Sequence, residues 1–377
     1  MYPNLWTIPG IDFHIRTYGF IVGLSFVIAL LIARRRARFG KLDPGVMTNL
    51  TLIGMVGGLI GGPLMYFFHY GNFGGREVIG GVVLGTIFAV GYLLLTGRSI
   101  LRYVDAAIPS LILAMGIGRL GCLMFGCCWG GACQTDSGDR AMPWAIQFPY
   151  GSPLYVKNWI DGNQDVPQDL LWKHPVSKEM EPIPAPILET DIDSDEELKT
   201  WASTAYAFNE ARKANLPKPE MTAVSKAYAD AKKALTQRDP LILGAAVHWA
   251  KLNGSSSDVK KTWNDLRVLA KSQHTDWVHP AQIYDFIALT LLFFVLSAIY
   301  WKRCRPGTVL VWAMILYPLN RVLQEMIRTD NPHDMIGGLT ISQFASLGIF
   351  VIGVALAIWL ARAKSNAPTR ALSHESD

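Results

Sequence analysis

The stretch LNRVLQEMIR spaces Arg321, Glu325 and Arg328 at i, i+4 and i+7, so a helix through it brings all three to one face. Two guanidiniums with a carboxylate between them suit a phosphate or carboxylate ligand, because each planar fork offers paired donors. Arg119 ends another apolar run in GIGRLGCLMFGCCWGG. The segment WVHPAQIYDF supplies His279, Gln282, Tyr284 and Asp285 at the start of a third run, and FHIRTYG supplies His14, Arg16 and Tyr18 at the start of a fourth. A lone Arg at such a boundary can snorkel to lipid headgroups. Four segments that bring Arg, His, Tyr and acids to the same depth argue instead for a site that binds an anionic headgroup.

Four of the five cysteines, Cys122, Cys127, Cys128 and Cys133, cluster, and Cys304 stands apart. Their spacing lacks the C-x₂-C pairs of common zinc sites and no CxxCH haem motif is present, so no metal and no cofactor is assigned. A disulfide, such as one from Cys133 to an earlier cysteine, is favoured over a metal, without a connectivity.

The elements that must hold these groups lie in lipid. Half of the 377 residues are apolar and 17% are charged, against about 25% in a typical soluble domain. Disorder and a small disulfide scaffold are excluded. The net charge of +5 lies in clusters beside apolar runs and does not point to nucleic acid. Runs of spanning length occur at about 18–33, 46–69, 78–96, 106–121, 281–301, 308–326 and 339–361. The clusters Arg34–Lys41, Arg98 with Arg102, Lys302 to Arg305, and Arg362 to Arg370 all fall on one side if every run spans. The positive-inside rule then puts the N-terminus outside and the C-terminus inside. The N-terminus lacks a cleavable-signal pattern, so the first span is expected to be its own insertion signal. The expected fold is all-α and polytopic, with seven transmembrane helices and a soluble, largely helical outer insert between the fourth and fifth.

The expected domains are 1–132 (spans one to four and the loop after them), 133–278 (an outer segment with a helical insert at about 186–273), 279–363 (spans five to seven) and a cytoplasmic tail, 364–377. Gly, Pro and turn formers after Cys133 predict short strands and loops. From about Asp193 the pattern predicts two amphipathic helices broken at LPKPE, then further helix to about Lys271. That insert reads as a packing module.

The order of these motifs resembles the prolipoprotein diacylglyceryl transferase family. TYG, GRLGCLMFGCCWGG, MPWAIQFP, HPAQIYDF, LNRVLQEMIR and GGLTISQFAS follow one another as the family's motifs do, over nearly all of the membrane part but not the insert. The resemblance implies transfer of the diacylglyceryl group of phosphatidylglycerol to the lipobox cysteine of prolipoproteins, in a bacterial plasma (inner) membrane. It implies that Arg119 and Arg321 hold the phosphate, supported by Arg328 and oriented by Glu325. Tyr18, Gln282 and Tyr284 would contact substrate, and Gly121 and Gly130 would shape a tight loop. The family's His in the third span, proposed as base for the thiol, is here Ile79, and two Asn and an acid of the signature are Cys122, Phe125 and Cys127. His279 and His14 are the imidazoles left to serve. Two other readings stand beside the transferase: a relative that uses the same lipid site for other thiol or redox chemistry, and a lipid-binding or transport protein. The second lacks the internal repeat that transporters commonly show.

Overall fold

The computed structural model describes residues 4–8, 13–73, 75, 77–175, 177–190, 192, 194–235, 239–254, 262–302, 305–330, 335–336 and 339–365. Arg303, Cys304, Asp193, Arg370 and the rest of the tail lie outside the described residues, as do the side chains of His14 and Arg16. The order is β1 (Asn4–Ile8), β2 (Phe13–Arg16), α1 (Thr17–Phe39), α2 (Pro44–Tyr70), α3 (Val78–Leu95), α4 (Ile100–Phe125), α5 (Pro153–Ile160), β3 (Leu171–Lys173), β4 (Met180–Pro182), α6 (Ala185–Leu188), α7 (Glu196–Lys213), α8 (Lys218–Ala234), α9 (Pro240–Gly254), α10 (Trp263–Ser272), α11 (Ala281–Trp301), α12 (Thr308–Ile327), β5 (Met335–Ile336), β6 (Leu339–Thr340) and α13 (Ile341–Ser365). The chain divides into two compact units, Tyr2–Gly131 with His279–Asp377, and Ala132–Val278.

In the first unit each of the seven apolar runs is a helix, and the unit is that of a helical membrane protein. Among the described residues, five helices are long and apolar enough to cross a bilayer: α1, α2, α4, α11 and α13. The apolar stretch of α3 is shorter. The apolar stretch of α12 is interrupted by Asn320, Arg321 and Glu325, although the helix itself is continuous. Large apolar side chains such as Leu31, Phe68, Val82, Leu95, Phe294 and Ile352 face outward, as lipid-facing positions do and a water-facing surface does not.

Two helices extend beyond the apolar runs because buried partners absorb their charges. The helix α1 continues through the arginine cluster to Phe39. Arg36, expected among exposed inner-side charges, is 2% exposed. It donates to the carbonyl of Ala106, to Ser110 Oγ and to Ser297 Oγ. The helix α4 begins at Ile100, ahead of the expected 106. Its Asp105 is buried and accepts from the backbone N–H of Gly307 (2.6 Å) and Leu310 (2.9 Å). A carboxylate of one helix thus satisfies the orphan donors at the start of α12.

The helices α2 and α3 pack through glycine. A Cβ on Gly61 would overlap the carbonyl oxygen of Gly80, so the backbones touch where a side chain would part them.

The second unit has its own core, around Tyr155, Leu170, Trp172, Ile183, Leu198, Trp263 and Leu266. Asp195 caps α7 by accepting from the N–H of Leu198 (3.0 Å). The break at LPKPE separates α7 from α8, with Pro217 at the N-cap of α8. Thr262 and Asp265 form a reciprocal capping box on α10. The stretch expected to hold short strands forms isolated bridges, of Gln134 to Arg140 and of Val278 to Ala132 and Ile146, the latter tying the unit's two ends together, and the β3–β4 hairpin lies further along the chain.

Candidate active site

Arg119, in the last turns of α4, meets Asp285 near the start of α11, with 2.6 Å between Nε and Oδ2. The other oxygen of Asp285 accepts from Asn320 Nδ2 on α12 (3.1 Å). One buried carboxylate therefore fixes a guanidinium and ties three helices. Arg119 turns Nη1 to the sulfur of Cys128 at 3.8 Å.

Arg321 pairs with Glu325 one turn on (2.8 Å). It also donates from Nη2 to Ser342 Oγ on α13 (2.9 Å). Its Nη1 is buried with no hydrogen-bond partner among the described residues. An unmatched donor on a buried cation is costly to leave and is what an anionic ligand would satisfy.

Arg328 does not stay on the expected helix face. The helix α12 ends at Ile327, and Arg328 takes extended backbone with φ −79° and ψ 143°. It grips Asp330 with two bonds, from Nε (2.9 Å) and Nη2 (2.7 Å). Burial works against its charge, but the Asp330 carboxylate outweighs burial and lifts its pKa above the ordinary value. Arg119, Arg321 and Arg328 lie within electrostatic reach of one another. Three mutually repelling cations, each with its own acid, form a cradle that an anion would stabilise further.

The loop after α4 is built by backbone. Gly126, with φ 83°, closes α4 by donating its N–H to the carbonyl of Cys122 (2.9 Å), and the N–H of Cys127 goes to the same carbonyl (3.1 Å). Gly130 donates to the carbonyl of His279 (3.0 Å), His279 to that of Gly131 (3.0 Å), and Gly131 to that of Ile327 (2.9 Å). The loop is thereby laced to the segment that starts α11 and to the end of α12. A Cβ on Gly130 would meet His279 at 2.7 Å, so a side chain there would break the lacing.

The remaining expected residues fall in different places. Tyr18 is half exposed at the start of α1, close to Gly121 and with its ring 6.4 Å from that of Phe125. His279 uses Nδ1 on the hydroxyl of Tyr284 (3.2 Å). Gln282, expected to meet substrate, is 1% exposed and donates to the carbonyl of Cys127 (2.6 Å). Burial makes it a brace for the loop, since that carbonyl lies beyond the helix cap and needs a donor.

Cys122, Cys127, Cys128 and Cys133 are all free thiols, so the expected disulfide from Cys133 is not formed. Cys133 belongs to the unit Ala132–Val278. The sulfurs of Cys122, Cys127 and Cys128 lie within 4.8 Å of one another.

Asn320, Asp330 and Ser342 had no role in the sequence reading, and Asp285 had only a location. Their one sequence signal was a polar group beside an arginine or inside an apolar run. His69 and Glu77 were missed as well. They pair at 2.8 Å where α2 ends and α3 begins, two residues before Ile79.

The fold and these groups define a class: a multi-pass helical membrane protein with three acid-paired arginines gathered where α4 and α12 end. A sequence model described as prolipoprotein diacylglyceryl transferase matches residues 3–359, and the chain belongs to that family. It is 27% identical over 375 residues to the phosphatidylglycerol–prolipoprotein diacylglyceryl transferase of Rhodopirellula baltica, covering 88% of this chain and 70% of that protein. A second such transferase of Clostridium perfringens is 30% identical over 154 residues, which is 37% of this chain and 60% of that protein. The Gluconobacter oxydans enzyme is 32% identical over 169 residues, 38% of this chain and 59% of its own length.

Proposed function

We propose that the chain is a phosphatidylglycerol–prolipoprotein diacylglyceryl transferase. It moves the sn-1,2-diacylglyceryl group from phosphatidylglycerol to the lipobox cysteine thiol at the end of a prolipoprotein signal peptide. The observation that carries the chemistry is the cradle of Arg119, Arg321 and Arg328, with the buried Nη1 of Arg321 unpartnered among the described residues. In the reaction the thiolate sulfur attacks the glyceryl carbon that bears the phosphodiester. The C–S bond forms, the C–O bond breaks, and its electron pair stays on the phosphate oxygen. A monoanionic diester becomes a dianionic monoester, glycerol phosphate. Fixed guanidiniums in a site shielded from water favour that growing charge more than they favour the ground state. Glu325, Asp285 and Asp330 hold the three forks before substrate arrives, so little reorganisation remains for the transition state.

The enzyme lies in the bacterial plasma membrane with seven spans, the cradle and the Ala132–Val278 unit on the outer side, and the C-terminus inside. The one-sided basic clusters support this orientation. Tyr18 and Tyr284 contact the lipid head or the peptide.

Complementation tests the activity. In a bacterium depleted of its own transferase, the wild-type chain restores lipid attachment to a reporter prolipoprotein. Arg321→Ala reduces it by about 100-fold or more, the scale for loss of a charge-stabilising donor. An unmodified reporter with correctly inserted wild-type chain would refute the transferase reading.

A further inference from the structure

We infer that Cys122, Cys127 and Cys128 bind a zinc ion whose open fourth position takes the lipobox cysteine and delivers it as thiolate. The inference rests on the transferase reading for the role of that position, but not for the metal site itself.

The three sulfurs lie within 4.8 Å of one another. Three thiolates around zinc with Zn–S of about 2.3 Å need sulfurs separated by about 3.8–4.0 Å, within that span. The chain works to bring them there. Gly126 with φ 83° reverses the backbone after α4, and Cys128 takes φ 62°, a left-handed conformation that a non-glycine residue adopts at a cost. The two turns bring Cys127 and Cys128 back to Cys122, the last-turn residue of α4. Gln282 pins the arrangement by donating to the carbonyl of Cys127 (2.6 Å).

The surroundings suit thiolates. Arg119 directs Nη1 at Cys128 Sγ (3.8 Å), the N–H to sulfur contact that steadies metal-bound thiolates. Three thiolates on a doubly charged ion leave one net negative charge, which the Arg119 guanidinium faces. A plain disulfide would use two of the sulfurs and leave the third without purpose. The ligand chemistry selects a soft or borderline ion, and zinc keeps its charge throughout a non-redox transfer.

Three protein ligands and one free position are the arrangement of a catalytic zinc site. A thiol that takes the fourth position loses its proton outright. That supplies an activated nucleophile without a separate base. On binding, the peptide S–H proton passes to water and a Zn–S bond forms. The zinc-bound sulfur then attacks the glyceryl carbon, forming the C–S bond as the C–O bond breaks, and its electron pair leaves with glycerol phosphate. The thioether product is neutral and a poor ligand, so it dissociates and reopens the position.

The test uses the full chain in detergent, stripped with a chelator under reductant and reloaded with zinc chloride. Elemental analysis is expected to find about one zinc per chain in the wild type, and at least a tenfold lower content in Cys127→Ser and in the Cys122/Cys127/Cys128→Ser triple variant. X-ray absorption is expected to give three sulfurs at about 2.3 Å, rising to four when a lipobox-cysteine peptide is added without phospholipid. Stripping the wild type, which needs no substitution, is expected to lower the transfer rate by at least tenfold, with recovery on adding zinc. Failure of the wild type to hold zinc, equal zinc in the triple variant, no fourth sulfur, or full transfer by stripped protein would each overturn the inference. Zinc and peptide sulfur bound normally, with no transfer when phosphatidylglycerol is added, would overturn the transferase reading and leave the metal site standing.

Discussion

Every arginine in the cradle has its own carboxylate, and the three pairs differ in span. Arg321–Glu325 is one helical turn, Arg328–Asp330 is a local turn, and Arg119–Asp285 joins two helices far apart in sequence. Helical spacing exposes the first kind of pair to a reader of the sequence, and nothing local exposes the last. Asp285 is a positioning residue, since it touches Arg119 and Asn320. Asp285→Asn keeps the shape and removes the charge that aims Arg119. The expected result is a fall in kcat of about 10- to 100-fold, or about 1.4–2.7 kcal/mol in the barrier, with a smaller change in KM. Asp285→Glu should recover part of it. Equal activity of wild type and Asp285→Asn in a purified, folded sample would show that Arg119 does not depend on this partner.

At the scale of elements, the seven apolar runs were readable because a hydrocarbon core demands continuous apolar length, and the run limits lie within a few residues of most observed helix ends. The exceptions are α1 and α4, where Arg36 and Asp105 find buried partners on other helices. The α2–α3 contact was visible only as glycine content, and Gly61 against Gly80 is one of its tightest points. Gly61→Val must push the two backbones apart. It is expected to destabilise the folded protein by about 1–3 kcal/mol, the scale for overpacking, read as a lower Tm in detergent. Gly91→Ala in α3, with open space around its Cβ position, serves as control and should leave Tm unchanged. An unaltered Tm in Gly61→Val would argue against close packing there.

At the scale of the molecule, the membrane unit and the Ala132–Val278 unit are stabilised by different means. The first turns apolar side chains to lipid. The second folds around tryptophans and leucines, as a water-soluble domain does. His248 in α9 is largely buried. Burial lowers its pKa, only partly opposed by its bond to the carbonyl of Asp169 (2.9 Å). The unfolded chain therefore binds more protons than the folded unit once pH falls below about 6.5. Stability of this unit is expected to be flat above that pH and to decline as pH drops through the window down to the folded pKa. Tryptophan fluorescence during unfolding between pH 7.5 and about pH 5 reads it, and His248→Gln should flatten the decline. The same slope in the variant would assign the dependence to other groups.

The sequence by itself determined that the chain is a helical membrane protein of the prolipoprotein diacylglyceryl transferase kind, because both signals are linear. Spanning length is a property of consecutive residues, and motif order is a property of the chain. Tertiary structure alone decided which acid holds which arginine, that Gln282 braces a loop, and that Arg36 is buried rather than exposed. It also decided that three cysteines of irregular spacing converge. Each of these depends on distances between separate segments, or on left-handed turns at Gly126 and Cys128 whose direction no spacing encodes.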